Sequence, residues 1–189
     1  MGLTMTAAQL RRRLPPGLDH RRLALDANRP AAVLVPLEPE HGVWLTRRSA
    51  QMPSHAGQVS FPGGKIELHD ATVEAAALRE AQEEIGLAPE SAEVLGRMDD
   101  FVTGTGFHIS PVVALVPRGV AFAAAQGEVA EVFCLPFSTL LDAGLPRRRR
   151  AQWRGAEREF WVWPHEDHVI WGATAMILRN LARRLLGAG

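Results

Sequence analysis

Hydrophobic and polar positions along this chain predict strands, then a helix, then more strands and a closing helix. The run Ala31 to Leu37 (Ala-Ala-Val-Leu-Val-Pro-Leu) predicts a buried strand. Pro36 points to an edge or a strand end, because proline cannot donate to a ladder. Gly42 to Arg47 predicts its hairpin partner, turned through residues 38–42. Ala92 to Val102, Phe107 to Val116, Glu128 to Leu135 and Glu159 to Pro164 predict further strands, with a turn at Thr103 to Gly106 and a loop at Ala121 to Gly127. Thr6 to Leu14 predicts a short helix capped by Thr6 and stopped by Pro15-Pro16, followed by a polar connecting arm from Leu18 to Arg29. Pro136 to Leu141 predicts a second short helix. Trp171 to Leu186 predicts the closing helix, with Ala175, Ile177, Leu178, Leu181 and Leu185 apolar and Arg179, Arg183 and Arg184 exposed. Strands on both sides of a helix predict an α/β fold, a mixed sheet between helical layers. The chain reads as one domain over residues 1–189, with residues 1–30 as an N-terminal arm.

The stretch from Gly57 to Leu87 organises the rest. Its first part is glycine-rich and apolar, and predicts a strand entering a tight loop. Its second part predicts a helix from Ala71 to Ile85, capped by Asp70, with Gly86 as the C-terminal glycine and Pro89 as a stop. At about 100° per residue, Glu80, Glu83 and Glu84 fall within one arc of about 100°. Leu78, Ala81 and Ile85 fall on another face. Glu80 and Glu84 form an i,i+4 like-charge pair near the helix C-terminus, where the macrodipole disfavours anions. Arg79 can relieve part of this by pairing with Glu83. A charge run is ordinarily a solvated face, but carboxylates crowded against the dipole suit a bound divalent cation. Mg²⁺ takes oxygen ligands and keeps several waters and a phosphate.

Composition narrows the function classes. The 189 residues are 47% hydrophobic with a formal net charge of zero, so a globally basic nucleic-acid binder is not indicated. The single cysteine, Cys134, excludes an intrachain disulfide and a cysteine zinc site, and reads as a small buried residue. No apolar run reaches the roughly 20 residues that span a bilayer, and the N-terminus lacks the apolar core of a secretory signal. A soluble cytoplasmic protein is the expectation, with no membrane partner. Arg47, Arg48, Ser49, Ser54 and His55 populate a loop, either as ordinary polar residues or as phosphate contacts, since the planar fork of an arginine matches phosphate oxygens. Asp99, Asp100 and His108 read as structural, and the pair His165 and His168 lacks the spacing of a helical metal motif. The Arg147 to Arg150 run reads either as a solvated hairpin or as a positive rim that steers an anionic substrate.

At the organising stretch the chain resembles a known family. Gly64-x5-Asp70-x8-Arg79-Glu80-Ala81-x-Glu83-Glu84-x-Gly86-Leu87 resembles the Nudix box of the Nudix hydrolases. The usual box has Glu at the first acidic position and seven residues before the arginine; here Asp70 stands there with eight. Leu45-Thr46-Arg47-Arg48-Ser49-x7-Gly57-x3-Phe61-Pro62-Gly63-Gly64 resembles a second motif, that of the coenzyme A pyrophosphatase branch, with Pro53 where the branch usually has Arg. The likeness continues at Glu128-Val129-x-x-Val132-Phe133 and at Trp171-Gly172-x-Thr174-Ala175.

The resemblance implies the Nudix α/β/α sandwich and hydrolysis of a pyrophosphate bond assisted by Mg²⁺ or Mn²⁺. It implies Glu80, Glu83 and Glu84 as metal ligands with the Gly63 carbonyl, and Arg79 orienting a glutamate. Glu80, Glu83 or Glu128 is the implied base, and Arg48 beside Gly63 and Gly64 the implied substrate contact. The branch implies coenzyme A or its thioesters as substrate. Another nucleoside diphosphate derivative such as ADP-ribose, a non-catalytic nucleotide sensor, and an RNA-binding module using Arg147 to Arg150 are the alternatives. A homodimer is left open.

Overall fold

The computed structural model describes residues 3–14, 29–153, 155–165 and 167–187. In chain order the elements are α1 (Ala7–Arg13), β1 (Arg29–Glu38), β2 (Gly42–Arg48), β3 (Val59–Ser60), β4 (Gly63–Lys65), α2 (Val73–Ile85), β5 (Glu93–Arg97), β6 (Phe101–Val102), β7 (Phe107–Leu115), β8 (Val129–Pro136), α3 (Phe137–Leu140), β9 (Arg147–Trp153), β10 (Ala156–Pro164), β11 (Val169–Trp171) and α4 (Gly172–Leu186).

β1 is the centre of a mixed sheet. It runs parallel to β7 from Arg29 opposite Phe107 to Leu37 opposite Leu115. Its other side is shared: β4 pairs antiparallel with residues 31–33 and β2 with residues 37 and 38. Pro36 falls in the gap between those two pairings, where no N–H is needed. It therefore marks neither an edge nor a strand end, and the expectation drawn from it is corrected. β2 pairs further with β3 and β8, and β7 with β5 and β6.

The strands alternate with period two, so each face builds its own core. Ala32 and Leu34 of β1, with Val112 and Ala114 of β7, face α2 through Ala76, Ala77, Ala81 and Ile85. Val35, Leu37, Val113 and Leu115 face the other way, onto Leu178, Leu181 and Leu185 of α4. The small alanines on α2 bring its backbone close to the sheet. This is the expected α/β/α sandwich with a mixed sheet. A second sheet of β9, β10 and β11 is fastened to α4. Trp163 Nε1 donates to the Ala175 carbonyl at 3.1 Å, and the guanidiniums of Arg148 and Arg179 lie over the Trp161 ring at 4.7 and 4.8 Å.

Several expected boundaries shift. α1 forms as expected, with Thr6 and Gln9 in a reciprocal capping box. The proposed stop at Pro15-Pro16 and the arm from Leu18 lie outside the described residues, apart from Arg29, which already belongs to β1. The strand expected over Ala92 to Val102 divides into β5 and β6, with the β5 register shifting against β7 between Val94 and Gly96. α2 starts later than expected and is capped by Thr72, whose Oγ1 accepts from the Ala75 N–H at 3.0 Å. Asp70 is not the cap. Gly86 ends α2 in the left-handed conformation, φ 68°, as a C-terminal glycine should. Of the arginines expected on the exposed side of α4, Arg183 is exposed. Arg179 instead stacks on Trp161, and Arg184 pairs with Asp99 at 3.0 Å.

The β1–β2 hairpin leaves no room at Gly42, where a Cβ would strike the Leu135 carbonyl and sit 2.8 Å from Cys134 Sγ. Gly42→Ala should force β2 away from β8 and destabilise the protein by about 1–3 kcal/mol. Urea denaturation of the two proteins measures the difference.

Candidate active site

The site is built where β4 delivers Gly63 and Gly64 against one face of α2. A side chain at Gly64 would displace the Glu80 carboxylate. A Cβ would lie 2.6 Å from the Glu80 carboxylate carbon and both its oxygens. Glu84, one turn on, is buried at 6% exposure. Its Oε2 accepts from the Gly63 N–H at 3.2 Å, and Arg48 Nη1 stands 3.8 Å from its Oε1. Desolvation pushes the Glu84 carboxyl up to about 7, with Glu80 and Glu128 adding to the rise while the Gly63 N–H and Arg48 oppose it. Glu80 is also raised, first by burial, against the pull of Arg79. Glu83 is different: its side chain is 59% exposed and leans back on Arg79.

Arg79 ties the helix to the loop before it. Its Nε and Nη2 grip both oxygens of Asp70 at 2.9 and 3.0 Å. Nη2 also donates to the Lys65 carbonyl at 3.1 Å. Nη1 donates to Glu80 Oε1 at 3.0 Å and Glu83 Oε2 at 3.1 Å. One guanidinium thus holds the residue after the glycines, the loop carboxylate and two helix glutamates. Freed from capping, Asp70 takes the bidentate partner role, which is why it sits nine positions before Arg79.

Arg48 reaches the site because the β2–β8 register shifts between Arg47 and Arg48, and a bulge re-aims a side chain. Arg47 pairs with Glu131 at 3.2 Å, and His168 Nε2 lies 3.3 Å from the same oxygen. Arg48 Nε is buried and no described residue accepts from it. Glu128 stands at the entry to β8, its carbonyl accepting from the Ser49 N–H at 2.8 Å. It is close enough to raise the proton affinity of Glu84.

The structure thus gathers Arg48, Gly63, Gly64, Arg79, Glu80 and Glu84, with Glu128 beside them, and turns Glu83 toward solvent. Sequence reasoning placed a loop at Ala121 to Gly127 but not its course over the end of α2. There Ala123 and Ala125 N–H groups donate to the carbonyls of Ile85 and Glu84, both at 2.9 Å. No local pattern signals those bonds. The other candidates sit in structural networks. Asp100 accepts from Ser110 Oγ at 2.7 Å and lies 2.8 Å from His108 Nε2. His55 bonds Gln58 at 2.8 Å, with its backbone at φ 56°. His165 and His168 stack on each other with centroids 5.2 Å apart. In the basic strand, Arg148 and Arg150 face Glu159 at 3.0 and 3.5 Å, so part of that charge is already neutralised.

Among the described residues no three carboxylates, imidazoles or thiols close around one point tightly enough to cage an ion unaided. The donor set still fits a hard divalent cation. Mg²⁺ is typically held by one or two carboxylates plus waters and substrate phosphates. Glu80 and Glu84 are desolvated oxygens whose mutual repulsion a cation would relieve.

The Asp70–Arg79 grip has a pH signature. The Arg79 hydrogen bonds hold the Asp70 carboxyl down at about 2, from an ordinary 3.8. A carboxyl depressed in the folded state stabilises the fold fully above its unfolded value and loses that contribution as pH falls through the folded value. The Asp70 contribution is therefore complete above about pH 4 and fades between about pH 4 and 2. Asp70→Asn should cost about 1.5–3 kcal/mol at neutral pH. The gap between variant and wild type in denaturation experiments should narrow as pH drops from 4 toward 2; a constant gap contradicts the assignment.

Comparison with known proteins places this geometry. A family model described as "NUDIX domain" matches residues 27–160. An uncharacterized Nudix hydrolase NudL from Citrobacter koseri is 43% identical over 159 residues, covering 83% of each chain. A NudL of Salmonella dublin is 39% identical over 174 residues, covering 91% of this chain and 89% of that one. In fold alone, a crystal structure from Deinococcus radiodurans aligns with a TM-score of 0.54 at 14% identity, over 84% of this chain and 88% of that one. A MutT/nudix family protein from Enterococcus faecalis aligns with a TM-score of 0.50 at 16% identity, over 89% of this chain and 71% of that one.

Proposed function

This chain belongs to the Nudix hydrolase family, whose members act on pyrophosphate bonds, and we propose that within it the protein is a coenzyme A diphosphatase. It splits coenzyme A, or its thioesters, into 3′,5′-ADP and 4′-phosphopantetheine or the acylated form. The observation that carries this reading is the meeting of two motifs on one carboxylate. Arg48, from the segment that resembles the coenzyme A branch, stands 3.8 Å from Glu84 Oε1. Gly63, from the end of the same segment, donates to Glu84 Oε2. The segment that resembles the coenzyme A branch and the box helix thus meet at one carboxylate.

Bound Mg²⁺ or Mn²⁺ would supply neutralisation of the diphosphate and of the charge that develops as the anhydride opens. Glu80 and Glu84, with the Gly63 carbonyl and Glu83, would hold that charge. Arg79 keeps the Glu80 carboxylate aimed at the glycine loop. The Arg48 guanidinium, whose side chain is 21% exposed beside Glu84, is placed to donate to a phosphate oxygen. Water attacks one phosphorus, the P–O–P bond breaks at that phosphorus, and the water proton passes to the Glu128 carboxylate. The released phosphate oxygen leaves as the anion. Pro53 is exposed in the loop where the branch usually has Arg, so gripping of the 3′-phosphate falls to Arg48 and the basic strand. The protein acts on a small molecule, in a single domain spanning residues 1–189.

Two tests bear on this. Glu84→Gln removes a ligand charge while keeping size, and should lower turnover at least about 100-fold with little loss of stability. Near-normal turnover at saturating Mg²⁺ would remove Glu84 from the site. Separately, coenzyme A, dephospho-coenzyme A and ADP-ribose are incubated with Mg²⁺ or Mn²⁺ and the products separated chromatographically. Coenzyme A should be cleaved fastest and dephospho-coenzyme A more slowly, for want of a charge-assisted bond. ADP-ribose cleavage without coenzyme A cleavage would overturn the substrate while leaving the chemistry. No turnover on any of the three would favour a nucleotide sensor.

A further inference from the structure

Residues 117–128 cross the C-terminal end of α2 and end at Glu128. This loop is anchored twice. Near its end, the Ala123 and Ala125 N–H groups donate to the Ile85 and Glu84 carbonyls. At its start, the anchor is a side chain from the last residue of β1. Glu38 is buried at 6% exposure. Its Oε1 accepts from the Gly119 N–H at 2.8 Å, and its Oε2 accepts from Trp44 Nε1 at 2.9 Å. The Trp44 ring in turn meets Phe122 of the loop edge-on at 4.8 Å. A turn closed by Val120 N–H on the Pro117 carbonyl at 3.3 Å follows the first bond. From Ala125 the chain turns once more, Glu128 N–H to the Ala125 carbonyl at 3.3 Å, and places Glu128 beside Glu84.

A carboxylate so deeply buried is costly unless both oxygens are satisfied. Here both are, and each donor belongs to the loop or to the ring that packs on it. Glu38 lies 81 positions from Gly119 in sequence, and its two bonds are strong because the acceptor is charged. We propose that Glu38 is a positioning residue for Glu128: it fixes the start of the loop so that the other end presents its carboxylate to the attacking water. The inference rests on Glu128 acting as the base.

Glu38→Gln is the test. Glutamine keeps the size, but its amide NH₂ must face one of the two N–H donors, so one bond is lost. Hydrogen exchange in the metal-free protein should quicken at Gly119, Ala123 and Ala125, and not within α2. With whichever of coenzyme A or ADP-ribose the wild type cleaves, kcat should fall about tenfold with KM within about twofold, the pattern of an interaction used in the transition state. In a Glu128→Gln background the same substitution should cost less than about twofold, because residues acting as one unit are not additive. Equal factors in both backgrounds, or unchanged exchange over residues 117–128, would overturn the proposal. If Glu128→Gln alone leaves kcat near that of the wild type, Glu128 is not the base and the inference falls with that role, while substrate cleavage itself stands. Should Glu38→Gln be too unstable to assay, Trp44→Phe removes one donor to the same carboxylate and gives the same two readouts.

Discussion

Two carboxylates held out of water against a bare glycine backbone are the constraint on which this structure turns. Glu80 comes so near Gly64 that a side chain there would displace its carboxylate, and Glu84 is buried under Gly63. Neither contact helps the isolated helix. An i,i+4 pair of like charges near a helix C-terminus is unfavourable twice over. The fold holds them there because α2 is clamped from both ends. Alanines dock it on Ala32, Leu34, Val112 and Ala114, Arg79 locks its side to Asp70 and Lys65, and loop N–H groups cap its final carbonyls. Charge density that would disperse in a free helix is thereby concentrated beside the glycine loop.

Arg79 and Glu38 work in complementary ways. Arg79 is a cation surrounded by acceptors, and it aims helix carboxylates while pinning the loop that follows the glycines. Glu38 is an anion surrounded by donors, and it pins the loop that brings Glu128. Both link segments distant in sequence to one helix, so the site depends on the sandwich being fully formed. Arg48 adds a third long-range element through the bulge that re-aims it.

Much of this was legible in the sequence, because period and local chemistry carried it. The apolar run Ala31 to Leu37 marked a buried strand, Thr6 marked the first helix, Gly86 ended α2, and the spacing of Glu80 and Glu84 placed both on one face. The failures share a cause. Asp70 looked like a cap because it stands just ahead of an apolar-periodic run, yet Thr72 fits the cap geometry and Asp70 is claimed by Arg79. Pro36 looked like an edge residue because the gap between two different partners of β1 is a tertiary fact. The bonds of Glu38 to Gly119 and Trp44 have no local signature at all. The basic strand showed its charge in the sequence, but not that Glu159 would neutralise Arg148 and Arg150.

If the glycine loop and α2 together make a divalent-cation site, Glu80 and Glu84 are its carboxylates. Calorimetric titration of Mn²⁺ into metal-free wild type and into Glu80→Gln tests it most directly, with circular dichroism confirming that both are folded. Saturable Mn²⁺ binding is expected for the wild type, with a loss of affinity of at least about tenfold in the variant, because a charged ligand is removed. Equal Mn²⁺ affinity in two equally folded proteins would contradict it.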